Sequence, residues 1–440
     1  MDERKKFWFL AAPAALEGLF LMLLSAVDLF MVSSLGTLAV AAVSIFSQPR
    51  MVILCFSRSF SVALTAYVAR LKGERKDNNF SACAKQSLLI GFIGSGILLI
   101  FTLIFCKQIL ILAGAQHNYL SIATKYAVLG FFSLFFSAPA IILHGILAGL
   151  GDTKSVLISN VLGNAVNVLF NAVFIPYFGV VGAGIGTLIG TFSTLLFTLI
   201  LFINKNHIAS LKRSGKWLPQ REYINCILPI TGGVFTEQAV ERVGMFVYSR
   251  MVANLGASAL GVHNICMGLC DIYYSFAQGM GKASLILAGN DLGKTGGKNI
   301  KVITKISKTE SLWTALIAFI ICFIFRNNLL EFYHLSGNEL VLGAEIMLFV
   351  SLVSFPEAQA MTHAGILRGV GQTAFVAKYS LISIAVFRPI ITYILVYTLN
   401  LGLHGAWISL FLDQCIRALC SIIKCDIFRM YLKTVKCTKI

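Results

Sequence analysis

The chain has 440 residues, of which 57% are hydrophobic and 12% charged. A soluble domain is nearer a quarter charged, so the composition excludes an ordinary soluble enzyme and points to the membrane. A formal net charge of +17 would suit nucleic acid, but the basic residues sit in gaps between apolar segments, and no compact basic domain exists to bind it.

In chain order, Met1 to Lys6 is basic and leads into an apolar run without a small-residue cleavage pattern. It reads as the flank of a first span, not a removable signal. Twelve spans are predicted, at 7–33, 40–69, 86–110, 121–148, 155–177, 181–203, 223–253, 259–290, 306–330, 340–366, 374–399 and 403–428. About 20 helical residues cross a bilayer, so the longer segments are expected to tilt or to extend beyond it. The stretch from Gly145 to Thr187 shows the pattern best. A small-residue turn, Gly149 to Lys154, closes one segment. The next carries Asn164, Asn167 and Asn171, and after the turn Pro176 to Gly179 the third opens with Gly182, Gly184 and Gly186. No charged residue occurs from Ser155 to Asn204, as expected of two spans joined by a tight hairpin.

The gaps alternate in charge. One side of the membrane receives 26 basic residues, from Arg4 through the tail Lys424 to Lys439, and the other receives only Lys107, Lys125 and Arg326. The excess of Lys and Arg marks the cytoplasmic side, so both termini are expected there. The second half also repeats the first. Ser34-Leu35-Gly36 answers Asn254-Leu255-Gly256, Gly145-Ile146-Leu147 answers Gly365-Ile366-Leu367, and Gly151 and Thr153 answer Gly371 and Thr373, all offset by 220. Gly182-Ala183 answers Gly405-Ala406 at 223, so three residues are added in between. The fold class is therefore all-α integral membrane, with twelve transmembrane helices as two parallel six-helix repeats. The expected division is an N-lobe over 1–203, a cytoplasmic linker over 204–222, and a C-lobe with a basic cytoplasmic tail over 223–440.

Ionisable side chains inside spans are costly and usually face a bundle interior or water. The acids are Glu17, Asp28, Glu237, Glu241, Asp271, Glu345, Glu357 and Asp413, and the bases Arg50, Arg58, Arg242, Arg250, Lys282, Arg388 and Arg417. Structural pairs are one reading; Asp413 and Arg417, four apart, have the spacing for one. Asp28 has no basic neighbour in the run Leu19 to Gly36, so it is a candidate for binding a proton or a monovalent cation. Asn167 and Asn171 share one helix face. Their amide oxygens suit a hard cation or a proton-linked network, or they simply join helices. Cys266 and Cys270 are expected to be buried small hydrophobes, with no metal or redox site. Gly289 to Thr295 has one residue too few between its glycines for a phosphate loop, so no ATP site is expected. No catalytic constellation is present, and the chain does not read as an enzyme.

The chain resembles the multidrug and toxin extrusion (MATE) transporters of the bacterial NorM/DinF-like kind. The carriers are Pro13 with Asp28 to Gly36, Gly145 to Lys154, Leu228-Pro229 through Glu237, Ala253 to Gly256, and Gly365 to Thr373. The resemblance implies a secondary antiporter in the cell inner (plasma) membrane. It would be a monomer that exports small organic, mostly cationic compounds in exchange for H+ or Na+, with no cofactor. By the same resemblance Asp28 is the first-span cation or proton site. Asn167 and Asn171 match the family's Asn-x3-Asp pair, with Asn at the second position here. Thr187 matches a threonine of that site, and Glu237 and Glu357 match acids of the second half. A lipid-linked oligosaccharide or lipid flippase of the same superfamily is the alternative. Arg50 with Arg58 and Arg242 with Arg250 have the spacing to line a cavity for a pyrophosphate head group.

Overall fold

The computed structural model describes residues 2–77, 79–204 and 207–437, with side chains to residue 428. Lys205 of the expected linker and Lys439 of the expected tail lie outside the described residues, as do the side chains of Arg429, Lys433 and Lys436.

The first half folds as α1 (Glu3–Ser33), α2 (Thr37–Gly73), α3 (Asn79–Ile104), the short α4 (Cys106–Leu112), α5 (His117–Gly149), α6 (Thr153–Phe178) and α7 (Val180–Ile203). The second half gives α8 (Arg221–Ala253), α9 (Ala257–Thr295), α10 (Ile300–Ile324), the short α11 (Arg326–Phe332), α12 (Gly337–Gly369), α13 (Thr373–Thr398) and α14 (Gly402–Cys437). No strand occurs among the described residues. Among the described residues, ten helices are long and apolar enough to cross a membrane. The other two long ones, α8 and α9, reach 33 and 39 residues but carry Glu237, Glu241, Arg242 and Arg250, and Asp271 and Lys282. Twelve long helices thus make a multi-pass membrane protein of two like halves, as the segment pattern predicts.

The offset of 220 is physical. In the first half α5 is central, packing on α2, α3 and α7; in the second, α12 packs on α9, α10 and α14. A Cβ on Gly145 would overlap the Ser61 carbonyl, and one on Gly365 would overlap the Gly281 carbonyl. Both glycines and both partners are 220 apart. Without a hydrophobic drive between helices in lipid, this close backbone contact is what joins them. The turns repeat too, with φ 83° at both Gly151 and Gly371, a conformation open to glycine. So does the outward face. Ile93, Ile97, Ile100, Phe101 and Ile104 of α3 are exposed, as are Trp313, Ile317, Ile320, Ile321 and Ile324 of α10 at the same offset, forming stripes suited to lipid. The spans expected at 86–110 and 306–330 are each broken, at Phe105 and Phe325, whose backbones leave the helical region before the short α4 and α11.

The compact units are not the two sequence halves. One compact unit comprises residues 17–231; the other comprises 1–16 with 232–440. The boundaries fall inside α1 and α8, because the first turns of each pack away from their own half. In the larger-numbered unit Glu310 of α10, 4% exposed, pairs with Arg4 and accepts a bond from Trp8 Nε1 at 2.8 Å. Gly279 of α9 lets the Ala15 backbone approach. In the other unit the Tyr223 hydroxyl bonds Ser87 Oγ at 2.6 Å, and Ile227 lies in the core with Phe60, Leu64 and Ile146.

The three added residues of the second half coincide with a change in α13. It winds as a π-helix over Leu381–Phe387 and again over Ile394–Thr398. Pro389 sits between these segments and has no N–H to donate to the preceding turn, a local cause for wider winding. The register of α8 against α13 slips accordingly. Gly233 faces Thr373 and Gly244 faces Ile384, but Arg388 contacts Met245 and Tyr397 bonds the Met251 carbonyl.

Candidate functional site

In the unit of residues 17–231, α1 and α6 run side by side. Asn171 of α6 donates from Nδ2 to Asp28 Oδ1 of α1 at 2.9 Å. Asn171 is 1% exposed and its Oδ1 has no hydrogen-bond partner, so a buried acceptor lies beside a half-buried carboxylate. Asn167 reaches Thr187 Oγ1 of α7 at 3.5 Å. The α7 glycines make this possible: a Cβ on Gly186 would overlap Asn171 Oδ1, and one on Gly190 would overlap Asn167 Cβ. The series Gly182, Gly184, Gly186 is therefore a packing seam against α5 and α6. Tyr126 of α5 lies beside Thr187, and Arg50 of α2 lies within electrostatic range of Asp28, with no ion pair between them among the described residues. Of the six predicted site residues, four therefore meet here: Asp28, Asn167, Asn171 and Thr187.

The other two lie in the second unit, and no hydrogen bond joins them among the described residues. Glu237 of α8 is buried in a two-point ion pair with Arg368 of α12, at 2.5 and 3.2 Å. Glu357 of α12 is 5% exposed, and its hydrogen-bond partner among the described residues is the Cys270 thiol of α9, at 4.0 Å. Arg417, Asp271, Glu241 and Arg388 surround it at longer range. Arg388 is the partner of Asp413 that sequence spacing missed. It pairs with Asp413, which is fully buried and also accepts from Ser383 Oγ, so Asp413 is not the partner of Arg417. The bulky side chain of Arg388 crosses from α13 to α14 over the Tyr248 ring, which spacing along one helix cannot reveal. Arg417 is itself buried, with Nε unbonded.

Cys266 and Cys270 are buried in the apolar core of the second unit, as expected. The glycine-flanked stretch near Gly289 to Thr295 ends α9. There Asp291 accepts from Thr295 Oγ1, from Asn299 N and from Asn299 Nδ2 at 2.8 to 3.0 Å, so its carboxylate closes the helix end. No group of three His, Cys, Asp or Glu side chains converges among the described residues.

The MatE family model matches the chain twice, over residues 13–173 and 234–394. The chain belongs to the MatE family. The two matches start 221 residues apart, close to the repeat spacing, and the family is one of transporters that use no cofactor, not of enzymes. Similar curated proteins include the multidrug resistance protein MdtK of Photorhabdus laumondii, 23% identical over 93% of this chain and 92% of that protein. Another is the multidrug resistance protein NorM of Vibrio cholerae, 24% identical over 91% and 90%. Among solved structures, an outward-facing multidrug resistance MATE family transporter of the MOP superfamily aligns with a TM-score of 0.92 at 21% identity, covering 99% of this chain and 97% of that one. A MOP superfamily transporter from Pyrococcus furiosus, described by a binding pocket of reverse polarity that suggests a different function, aligns at 0.91 and 21% with the same coverage.

Proposed function

We propose that the chain is a secondary active multidrug efflux antiporter. It exports small organic cations in exchange for H+ or Na+ by alternating access and uses no ATP. It works as a monomer in the cell inner membrane with both termini in the cytoplasm, the side that receives 26 of the basic residues. The observation that carries the reading is the half-buried Asp28 carboxylate, held by a neutral amide beside the unbonded Asn171 oxygen. A carboxylate so placed can exchange one cation for another, because neither state leaves a fixed counter-charge unpaired. Entry of the coupling ion at Asp28, Asn167, Asn171 and Thr187 then weakens the hold on the exported cation. Glu357, buried without an ion pair, is the acid of the second half best able to join in, whereas Glu237 is committed to Arg368.

The test is uptake of a fluorescent organic cation into liposomes under a proton gradient or a sodium gradient imposed separately. One gradient drives uptake in the parent, and Asp28→Asn loses at least tenfold while still folded and inserted. A fully active Asp28→Asn would remove Asp28 from the coupling site. The second reading is export of an anionic lipid-linked substrate. It is favoured by the guanidiniums of Arg50, Arg242 and Arg250, which are exposed and form no ion pair among the described residues. Absence of a response to either gradient, with lipid-linked pyrophosphate moved instead, would select it.

A further inference from the structure

The polar stretch before α8 is tied down along its length. From His207 to Gln220 it lies across the first turns of α3, within the unit of residues 17–231. Three buried side chains of α3 hold it. Ser81 Oγ donates to the Ser210 carbonyl at 2.7 Å. Lys85 Nζ donates to the Arg213 carbonyl at 2.7 Å and to the Gly215 carbonyl at 3.3 Å. Gln86 Oε1 accepts from the Gln220 backbone N–H at 3.2 Å. The approach is close, since a Cβ on Gly215 would meet the Ala82 backbone at 2.9 Å. With the backbone carbonyls turned to α3, the side chains of Lys212, Arg213, Lys216, Trp217 and Leu218 are exposed. Trp217 is 48% exposed and Leu218 75%, although Lys85 Nζ stands 5.6 Å from the indole centroid.

Two properties of this surface belong together. A tryptophan beside a leucine leaves apolar area in water unless a bilayer's headgroup layer receives it, and indole favours that layer. The neighbouring Lys212, Arg213 and Lys216 form no ion pair among the described residues; Arg213 Nη1 reaches only the Ile208 carbonyl, at 3.5 Å. No Asp or Glu occurs from Thr153 to Arg221, and Asp152, within electrostatic range of His207, caps α6 through the Ser155 N–H. The basic turn between α2 and α3 is different, because Glu74 takes both Arg70 and Lys76 in ion pairs.

We infer that the segment from Leu211 to Leu218 is a docking site for acidic phospholipid at the bilayer surface. Trp217 and Leu218 enter the headgroup layer, and Lys212, Arg213 and Lys216 bind the anionic headgroups. An apolar and a basic signal hold together where either alone gives weak, reversible binding. Lys85 is a positioning residue. It touches no lipid, but its bonds to the Arg213 and Gly215 carbonyls fix the shape that presents the cations beside the indole. The surface does this whatever compound the chain exports.

The experiment places the full chain in nanodiscs of phosphatidylcholine and phosphatidylglycerol in equal amounts. One lipid or the other is brominated in the upper acyl chain, and tryptophan emission is read. The chain has 4 tryptophans, so the Trp217 component is the parent signal less that of Trp217→Phe. Brominated phosphatidylglycerol is expected to quench this component about twofold more than brominated phosphatidylcholine, and less so as salt rises. The combined change Lys212→Gln, Arg213→Gln and Lys216→Gln, all at exposed positions, should keep the quenching and lose the preference. Lys85→Met should weaken both; if it does not fold, the triple change decides. Absence of Trp217 quenching by either lipid overturns the inference, as does equal quenching by both in the parent. A preference that survives the triple change overturns the role of the three cations. A preference abolished by inorganic phosphate, but not by chloride at the same ionic strength, would make this a site for a free anion and remove the lipid.

Discussion

In the first half, Asp28 of α1 is held by the neutral amide of Asn171; in the second, Glu237 and Asp413 are held by the guanidiniums of Arg368 and Arg388. The register differs in the same sense. α1 lies against α6 at one constant separation over three turns, while α8 slips against the π-wound α13. An amide-held carboxylate can gain or lose a cation at the cost of a neutral hydrogen bond. A guanidinium-held one cannot, since its loss strands a buried positive charge and costs several kcal/mol. The repeated fold therefore holds acids in two ways, by a neutral amide that would let a cation exchange in the antiport reading proposed above, and by guanidiniums that fix them.

The largest expected effect breaks the fixed half. Asp413→Asn strands Arg388, which is 2% exposed, and is expected to cost about 3–5 kcal/mol. A lower melting midpoint of the detergent-purified protein checks this, and the double change Arg388→Met with Asp413→Leu should recover most of it. A parent-like midpoint for Asp413→Asn would erase the contrast. Next comes Gly186→Ala, whose Cβ would displace the Asn171 amide from Asp28. Overpacking there should cost about 1–3 kcal/mol and abolish driven transport, whereas Gly261→Ala on α9, with open space around it, should be silent in both assays. Glu357→Gln sharpens the comparison. With a thiol as its hydrogen-bond partner and no ion pair among the described residues, it should leave the melting midpoint nearly unchanged and reduce driven transport less than Asp28→Asn does. A loss as deep as that of Asp28→Asn would give the second half an exchangeable acid too. The smallest effect lies outside the membrane. Lys76 and Arg70 hold the Glu74 carboxyl below its ordinary value. Its contribution is present above the unfolded value and fades as pH falls through the lowered one. Being a surface pair, Glu74→Gln should cost less than about 1 kcal/mol at neutral pH and nothing in strong acid, read from melting midpoints across pH.

Much of this was legible before any coordinates. Charge-free runs and glycine landmarks define the long helices because a bilayer allows few alternatives to a helix of about 20 residues. The shared offset follows from glycines that must sit where backbones touch, such as Gly145 and Gly365. The asparagines stood out because polar groups are scarce in those spans. What could not be read is pairing between helices. Arg388 with Asp413, Glu237 with Arg368 and Glu17 with Asn160 are each fixed by tertiary register, and one-helix spacing pointed instead to Asp413 with Arg417. The compact units were hidden for a similar reason. The polar stretch between 203 and 223 is a break in hydropathy, whereas the compact units are set by where Ala15 and Tyr223 find neighbours.

That exchange of first turns bears on how the chain could be cut. A protein split in the polar stretch after Ile203 would yield two fragments, each beginning with helical turns that belong to the other's core. Neither fragment would be self-sufficient, and two co-expressed pieces would have to reassemble by trading those turns, as in a reciprocal swap.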